Sequence, residues 1–503
     1  MDKLKTLREK YPKFVYQNYS WQISKNPHTK TSTVRGKDLE IFFDFKIEPD
    51  IYFKPKITIK DINRVQLKPF LKQLDNMVFH LGLIEMISYW KATCSPLIEI
   101  KAGFLNAEQI KWWKDLILNG MGQFFYENKI NFTKSNFLTI RSAQNAAREA
   151  IPSKLARDGF PSKQNRVLVP IGGGKDSIVV LEILKKAQKD INCICLNPTE
   201  TDKKVIKMGN CDKPIFGKRQ IDKKLLELNK KGFLNGHTPI SAYFAFFTTL
   251  AAAIFGYKYI ALGNERSSNE GNVKYLGKII NHQWSKSFEF EEMFKKYSKK
   301  YLVKAVKEDK SSFPPSSRKR NSVVEYFSFL RPLYEIQIGK LFSNYPKYFP
   351  IFRSCNKGQK TNSWCNNCSK CLFIFSSLYP FLKEKELIKI FGKNLFEDKN
   401  LIPIMEQLVG ERGFKPFECV GTKKESLAAF YLSWKKHKTN RGRASNKLPV
   451  LLWYFEKKIL PKHKNLEKES KKILNSWNKQ HNLPKEFKKL LNINIECGFN
   501  VSY

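Results

Sequence analysis

The run Arg166–Ser177, RVLVPIGGGKDS, constrains the chain more than any other stretch. Its uninterrupted apolar start is what a strand covered on both faces looks like. Three glycines follow at once, and then a helical pattern over Asp176–Gln188. A second buried-type strand comes at Ile191–Leu196, and a helix over Ile240–Gly256 leads into a third, Tyr257–Leu262. Strands alternating with helices predict an α/β fold with a doubly wound parallel sheet. In that setting the glycines let backbone N–H groups crowd an anion, and the helix start adds its partial positive charge. The loop is neither GxxxxGK[ST] nor GxGxxG. Its plainer reading is a tight turn capped by Asp176 or Ser177.

Three units are expected. Residues 1–160 read as an N-terminal α+β domain, with aromatic and β-branched strands at Phe14–Ile23 and Leu39–Ile59 and helical spacing over Leu67–Lys91 and Ala107–Asn128. Residues 161–420 carry the glycine loop and a cysteine-rich segment. Residues 421–503 read as a Lys-rich helical tail. Lys310–Asn321, KSSFPPSSRKRN, has the composition of a loop. The apolar stretch Ile240–Tyr257 approaches the length of a membrane span, but its Ser and Thr and its place in an α/β pattern favour a buried helix.

The formal net charge is +44, from 90 Lys and Arg against 46 Asp and Glu. Lys supplies most of the excess, spread along the chain, whereas Arg dominates base and phosphate recognition. Nucleic acid is therefore not expected as a partner. The start, MDKLKTLREKYPKF, lacks the apolar core of a secretory signal. Ten Cys, four of them grouped, point to a reducing, cytoplasmic setting with one metal site, not a disulfide framework.

That group is Cys355, Cys365, Cys368 and Cys371, in RSCNKGQKTNSWCNNCSKC. Four thiolates at this spacing can enclose Zn²⁺ tetrahedrally, leaving no open position, so the site reads as structural. An Fe–S cluster or free thiols are the other readings.

Past the third strand runs LGNERSSNEGN (Leu262–Asn272), and soon after INHQWSKSFEF (Ile280–Phe290). Ligands of open α/β sheets bind beyond the carboxyl ends of strands. Asn264, Glu265, Arg266, His282, Ser285, Lys286 and Glu289 supply acids, bases and phosphate partners there. LNGHTP (Leu234–Pro239) presents His237 at the start of the long apolar helix.

GGGKDS resembles the SGGxDS signature of PP-loop ATP pyrophosphatases, with Gly172 in place of the usual Ser. By that resemblance the fold is PP-loop/HUP-like. Gly172, Gly173, Gly174 and Ser177 hold the pyrophosphate of ATP, Lys175 offsets charge and Asp176 helps place Mg²⁺. The cysteine spacing is similar to the zinc knuckle of PP-loop enzymes of deazaguanine synthesis. LNGHTP, the cysteine segment and FKPFECVG (Phe414–Gly421) together resemble the MurL family, ATP-dependent epimerases of UDP-N-acetylmuramoyl-L-alanyl-L-glutamate. The likeness runs from LIEMISYWKATCSP, at Leu83, to Gly421.

The resemblance implies adenylation of the glutamyl carboxylate, inversion of the α-carbon, and hydrolysis to the D-glutamate product with AMP and pyrophosphate. Chemistry requires two proton carriers, or one that reaches both faces. His282 and Lys286 are the expected pair, with His237 as alternate and Cys419 after it. Arg266 would bind phosphate or the enolate oxygen; Glu265 and Glu289 would orient a base or Mg²⁺. The expected partner is the UDP-N-acetylmuramoyl-dipeptide, recognised by residues 1–160; no partner protein is indicated. The competing reading is a PP-loop enzyme of tRNA modification, of the thiolation or lysidine type.

Overall fold

The computed structural model describes residues 3–25, 37–62, 71–142, 165–302, 324–358, 361–440 and 448–499. The boundary read near residue 160 and the Lys310–Asn321 segment lie outside them. Strands β1 (Lys13–Lys25), β2 (Lys37–Ile47), β3 (Ile51–Phe53), β4 (Lys56–Ile62), β5 (Leu97–Ile100) and β6 (Thr139–Ser142) precede the glycine loop. Next come β7 (Val167–Pro170), β8 (Ile191–Leu196), β9 (Ile215–Gln220) and β10 (Tyr259–Leu262). A small hairpin, β11 (Val273–Tyr275) with β12 (Lys278–Ile280), and then β13 (Glu325–Ser328) complete the set.

All but the hairpin join one sheet in the order β13-β10-β7-β8-β9-β4-β2-β1-β5-β6, with β3 on β2. From β13 to β9 the strands run parallel. The pairing of β9 with β4 is antiparallel, Ile57 facing Arg219, so the first unit's strands extend the same sheet. Alternate residues face opposite sides: Leu168, Ile194 and Ile260 enter one core, Val167, Val169, Cys193 and Ala261 the other. Helix Ile240–Phe255 packs on Leu71–Trp90 in the first core, and helix Lys175–Lys186 on Glu335–Phe342 in the second. Burial on both faces explains why these strands read as continuous apolar runs. No helix among the described residues is long and apolar enough to cross a membrane.

Strand order reverses between β7 and β10. Successive connections leave to opposite sides there, and in open α/β sheets that is where the ligand crevice lies, beyond the carboxyl ends of these two strands.

The last 80 residues do more than trail away from this core. Phe487, in helix Lys485–Phe499, sets its ring 4.9 Å from both Tyr259 and Phe327. Among the described residues, a disulfide between Cys193 and Cys211 ties β8 to the loop before β9.

Candidate active site

The glycine loop leaves β7 at the strand-order reversal. Gly173 has φ +67°, and a Cβ there would lie 2.6 Å from Thr201 Cγ2, so conformation and space both demand glycine. Gly174 is the N-cap of helix Lys175–Lys186 and brings no side chain to its first amides. Those amides are the natural seat of an anion. β10 exits beside them: a Cβ on Gly263 would sit 3.1 Å from the Asp176 carbonyl carbon and 3.2 Å from the Ser177 amide nitrogen. Ser177 Oγ donates to the Gly174 carbonyl at 3.1 Å.

Three acids converge on this helix start. Asp176, Glu265 and Glu335 place carboxylate oxygens within 4.8 Å of one another. Lys175, fully buried, donates to both Asp176 and Glu335. Glu265 is 2% exposed, and its Oε1 has no hydrogen-bond partner. Burial, then the Asp176 charge, holds Glu335 above the ordinary carboxylate range. Burial raises Glu265 too, with Lys286 opposing and Asp176 and Cys419 adding. Hard oxygen donors, one of them unpartnered, fit a divalent cation such as Mg²⁺. Asp176 and Glu265 carry sequence signals. Glu335 carries none beyond an acid in the first turn of a helix following a strand.

Arg331, fully buried, ties the two loops that border the crevice. It donates to the Glu265 carbonyl at 2.6 Å, to Ser268 Oγ at 2.8 Å and to the Lys286 carbonyl, and pairs with Glu291 at 3.2 Å.

His282, Lys286 and His237 come together, and Cys419 stands among them. His282 Nδ1 is hydrogen-bonded to Gln123 Oε1, and the Gln123 amide nitrogen donates to Glu127 at 2.8 Å. Gln123 therefore turns its oxygen to the imidazole, Nδ1 carries the proton, and the Nε2 lone pair faces Cys419 Sγ at 3.9 Å. Lys286 Nζ lies 3.5 Å from the same sulfur. The His237 ring centroid is 4.7 Å from that of His282. Burial, and next the Lys286 charge, lowers His282 to about 4. Burial, then His282 and Lys91, lowers His237 to about 3. Burial works against the Lys286 charge, but Cys419, Glu265 and Asp176 outweigh it and raise its pKa. Near neutral pH the imidazoles are neutral and the lysine is charged.

Arg266 stands apart, its guanidinium 4.3 Å over the Tyr334 ring. Glu289 is exposed and accepts from the Trp284 indole at 3.1 Å. Asn264 donates to Ser328 Oγ at 3.1 Å and pins β10 to β13.

Cys355, Cys365, Cys368 and Cys371 bring four sulfurs within 4.8 Å of one another. The Gly358 amide points at Cys355 Sγ and the Cys371 amide at Cys368 Sγ, at 3.2 and 3.4 Å. Converging thiols with amides turned to the sulfurs fit a tetrahedral thiolate-bound ion. This knuckle touches both halves of the crevice. The Arg353 amide donates to the Gly173 carbonyl at 3.0 Å, and the Lys370 amide to Glu418, beside Cys419, at 2.8 Å.

Comparison with known proteins gives a consistent answer. The MurL N-terminal domain family matches residues 25–308 and the MurL C-terminal domain family residues 351–447. A UDP-N-acetyl-alpha-D-muramoyl-L-alanyl-L-glutamate epimerase of Xanthomonas oryzae pv. oryzae is 30% identical over 355 residues, 69% of this chain and 72% of its own length. Its namesake in a Micromonospora species is 31% identical over 363 residues, 70% and 73% of the two chains. A third, from Salinispora tropica, is 30% identical over 356 residues, 70% and 72%. No solved structure matches.

Proposed function

The chain belongs to the MurL epimerase family, and from that premise we propose that it inverts the terminal glutamate of UDP-N-acetylmuramoyl-L-alanyl-L-glutamate, for peptidoglycan precursor synthesis, after adenylating it with ATP. It is thus an isomerase, and tRNA modification is not the favoured reading.

The chemistry explains why a nucleotide loop accompanies an epimerase. A free carboxylate opposes loss of its neighbouring α-proton, because the carbanion would form beside an existing charge. Adenylation removes that charge and leaves an acyl group that delocalises the carbanion as an enolate. The observation that carries this reading is the uncapped helix start after Gly172–Gly174, set against Asp176, Glu265 and Glu335 and bordering Lys286 and Cys419. In a PP-loop-like arrangement the loop amides and Ser177 would grip pyrophosphate, and Asp176, Glu265 and Glu335 would hold Mg²⁺, whose charge would offset that of the phosphates. Lys286 serves as one proton carrier, beside His282 with His237 behind it. Zn²⁺ at the four cysteines fixes the segment that joins the glycine loop to Cys419. Residues 1–160 recognise the UDP-sugar, and the reaction takes place in the cytoplasm.

Incubation with ATP, Mg²⁺ and the L,L-substrate tests the proposal. AMP, pyrophosphate and the D-glutamyl diastereomer in chiral analysis support it. AMP formed with tRNA and not with the muramoyl dipeptide would overturn it.

A further inference from the structure

We propose that Cys419 is a proton carrier of the epimerisation, working as a thiolate at the glutamyl α-carbon with Lys286 as its counter-charge. This deepens the functional reading above and rests on it.

The geometry singles out the sulfur. Cys419 Sγ stands between Lys286 Nζ at 3.5 Å and the unprotonated Nε2 of His282 at 3.9 Å. The Lys286 ammonium stabilises a negative sulfur. The residue as a whole is half-buried. Glu265, whose Oε1 has no partner, is near enough for its charge to act on Lys286 and for that of Cys419 to act on it. Lys286 is held as an ammonium, which can donate a proton but cannot remove one. Burial opposes a negative sulfur, but the Lys286 and Lys370 charges and the Lys286 hydrogen bond together outweigh it and lower the Cys419 pKa. With the ammonium in contact, the sulfur is the group prepared to take the α-proton.

The protons balance. The α C–H bond breaks, its electron pair stays on the substrate as the enolate, and the proton forms S–H on Cys419. Sulfur and amine touch at 3.5 Å without substrate, so binding must part them to admit the α-carbon between them; an N–H bond of Lys286 then breaks to form the new C–H on the opposite face. When product leaves, the S–H proton passes to the neutral amine across their direct contact. Thiolate and ammonium are restored without net uptake or release. In the reverse direction the ammonium first passes its proton to the thiolate; the neutral amine then takes the α-proton and the S–H supplies the new one.

Nothing in the local sequence announces this. FKPFECVG has no nucleophile motif, and the Cys gains its neighbours from residues some 130 positions away.

The test uses the full chain with ATP, Mg²⁺ and the L,L-substrate in D₂O, reading deuterium at the glutamyl α-carbon. Cys419→Ala should slow incorporation by about a hundredfold or more. Cys419→Ser should also fall far below the native chain, because a hydroxyl is a much weaker acid. Incorporation by the Ala variant within about threefold of native would overturn the proposal. Should that variant fail to fold, the native chain is alkylated with iodoacetamide and Cys419 labelling followed by mass spectrometry. Loss of exchange in step with labelling supports the assignment; full exchange with Cys419 fully labelled overturns it. Lys286→Met should slow that alkylation at neutral pH by about tenfold, which a merely structural lysine would not do. A native chain that forms no AMP overturns this proposal together with the function it rests on. A native chain that epimerises beside an equally active Ala variant overturns this proposal alone.

Discussion

Glu335 pairs with Lys175 across 160 residues of sequence, at the first turn of the helix that follows the glycine loop. The contact explains how a lysine can be wholly buried there, since two carboxylates face its ammonium. It also brings the third acid into a cluster that Asp176 and Glu265 alone would leave incomplete as a cation site.

Neutralising one acid should therefore weaken the cation before it weakens the fold. Glu265→Gln is the cleaner variant, because its Oε1 has no protein partner to lose. The Mg²⁺ concentration for half-maximal pyrophosphate release should rise at least about tenfold. A titration of release against Mg²⁺ with the native curve unchanged would contradict the site.

Arg331 should behave as a positioning residue. It is fully buried, pairs with Glu291 and holds the carbonyls of both Glu265 and Lys286. Arg331→Met leaves Glu291 buried and uncompensated, at a cost of about 3–5 kcal/mol. Urea unfolding should show this loss. Adding Glu291→Gln to the same chain should recover part of it.

The histidines give stability a pH dependence of definite sign. His282 and His237 are held near 4 and 3, and fully buried His80 near 4, all chiefly by burial and all below the ordinary 6.5. The unfolded chain thus binds more protons than the folded chain below 6.5. The stability these neutral imidazoles contribute is complete above that pH and is lost as pH falls towards 4. Melting temperature should drop from pH 7 to pH 4.5, and His282→Gln with His237→Gln should flatten the drop, leaving the His80 share. An equally steep drop in the double variant would count against buried neutral imidazoles.

The four-cysteine site should hold one zinc per chain, measured by elemental analysis, with no visible iron–sulfur absorption. Cys368→Ser should lower melting temperature and metal content together. Because Lys370 anchors Glu418 next to Cys419, it should also slow α-deuterium exchange. Stoichiometric iron would contradict the assignment.

How much could be read from sequence follows how locally each feature is encoded. The glycine turn at Gly172–Gly174 and the convergence of the four cysteines were legible because residues close in sequence encode each. The strands of the parallel region were legible because burial on both faces leaves an apolar run, and Ile191–Leu196 is a strand with those bounds. Glu335 and Arg331 were not, since only the sheet order brings their elements to the crevice. The joining of β4 to β9 depends on edge pairing, which no motif encodes. The tail read as lysine-rich and peripheral, yet one face of its last helix carries Phe487 into the core between Tyr259 and Phe327. Cys419 carries little signal of its own, since its neighbours Lys286 and His282 come from a distant loop.

The central claim is that nucleotide cleavage exists to mask a glutamyl carboxylate. The most direct measurement supplies the chain with Mg²⁺, the L,L-substrate in D₂O and an ATP analogue that cannot be cut between its α and β phosphates. With ATP, each D-glutamyl product should carry one solvent deuterium at the α-carbon, and AMP should accumulate. With the analogue, neither deuterium nor diastereomer should appear. Epimerisation at an undiminished rate with the analogue would contradict the account.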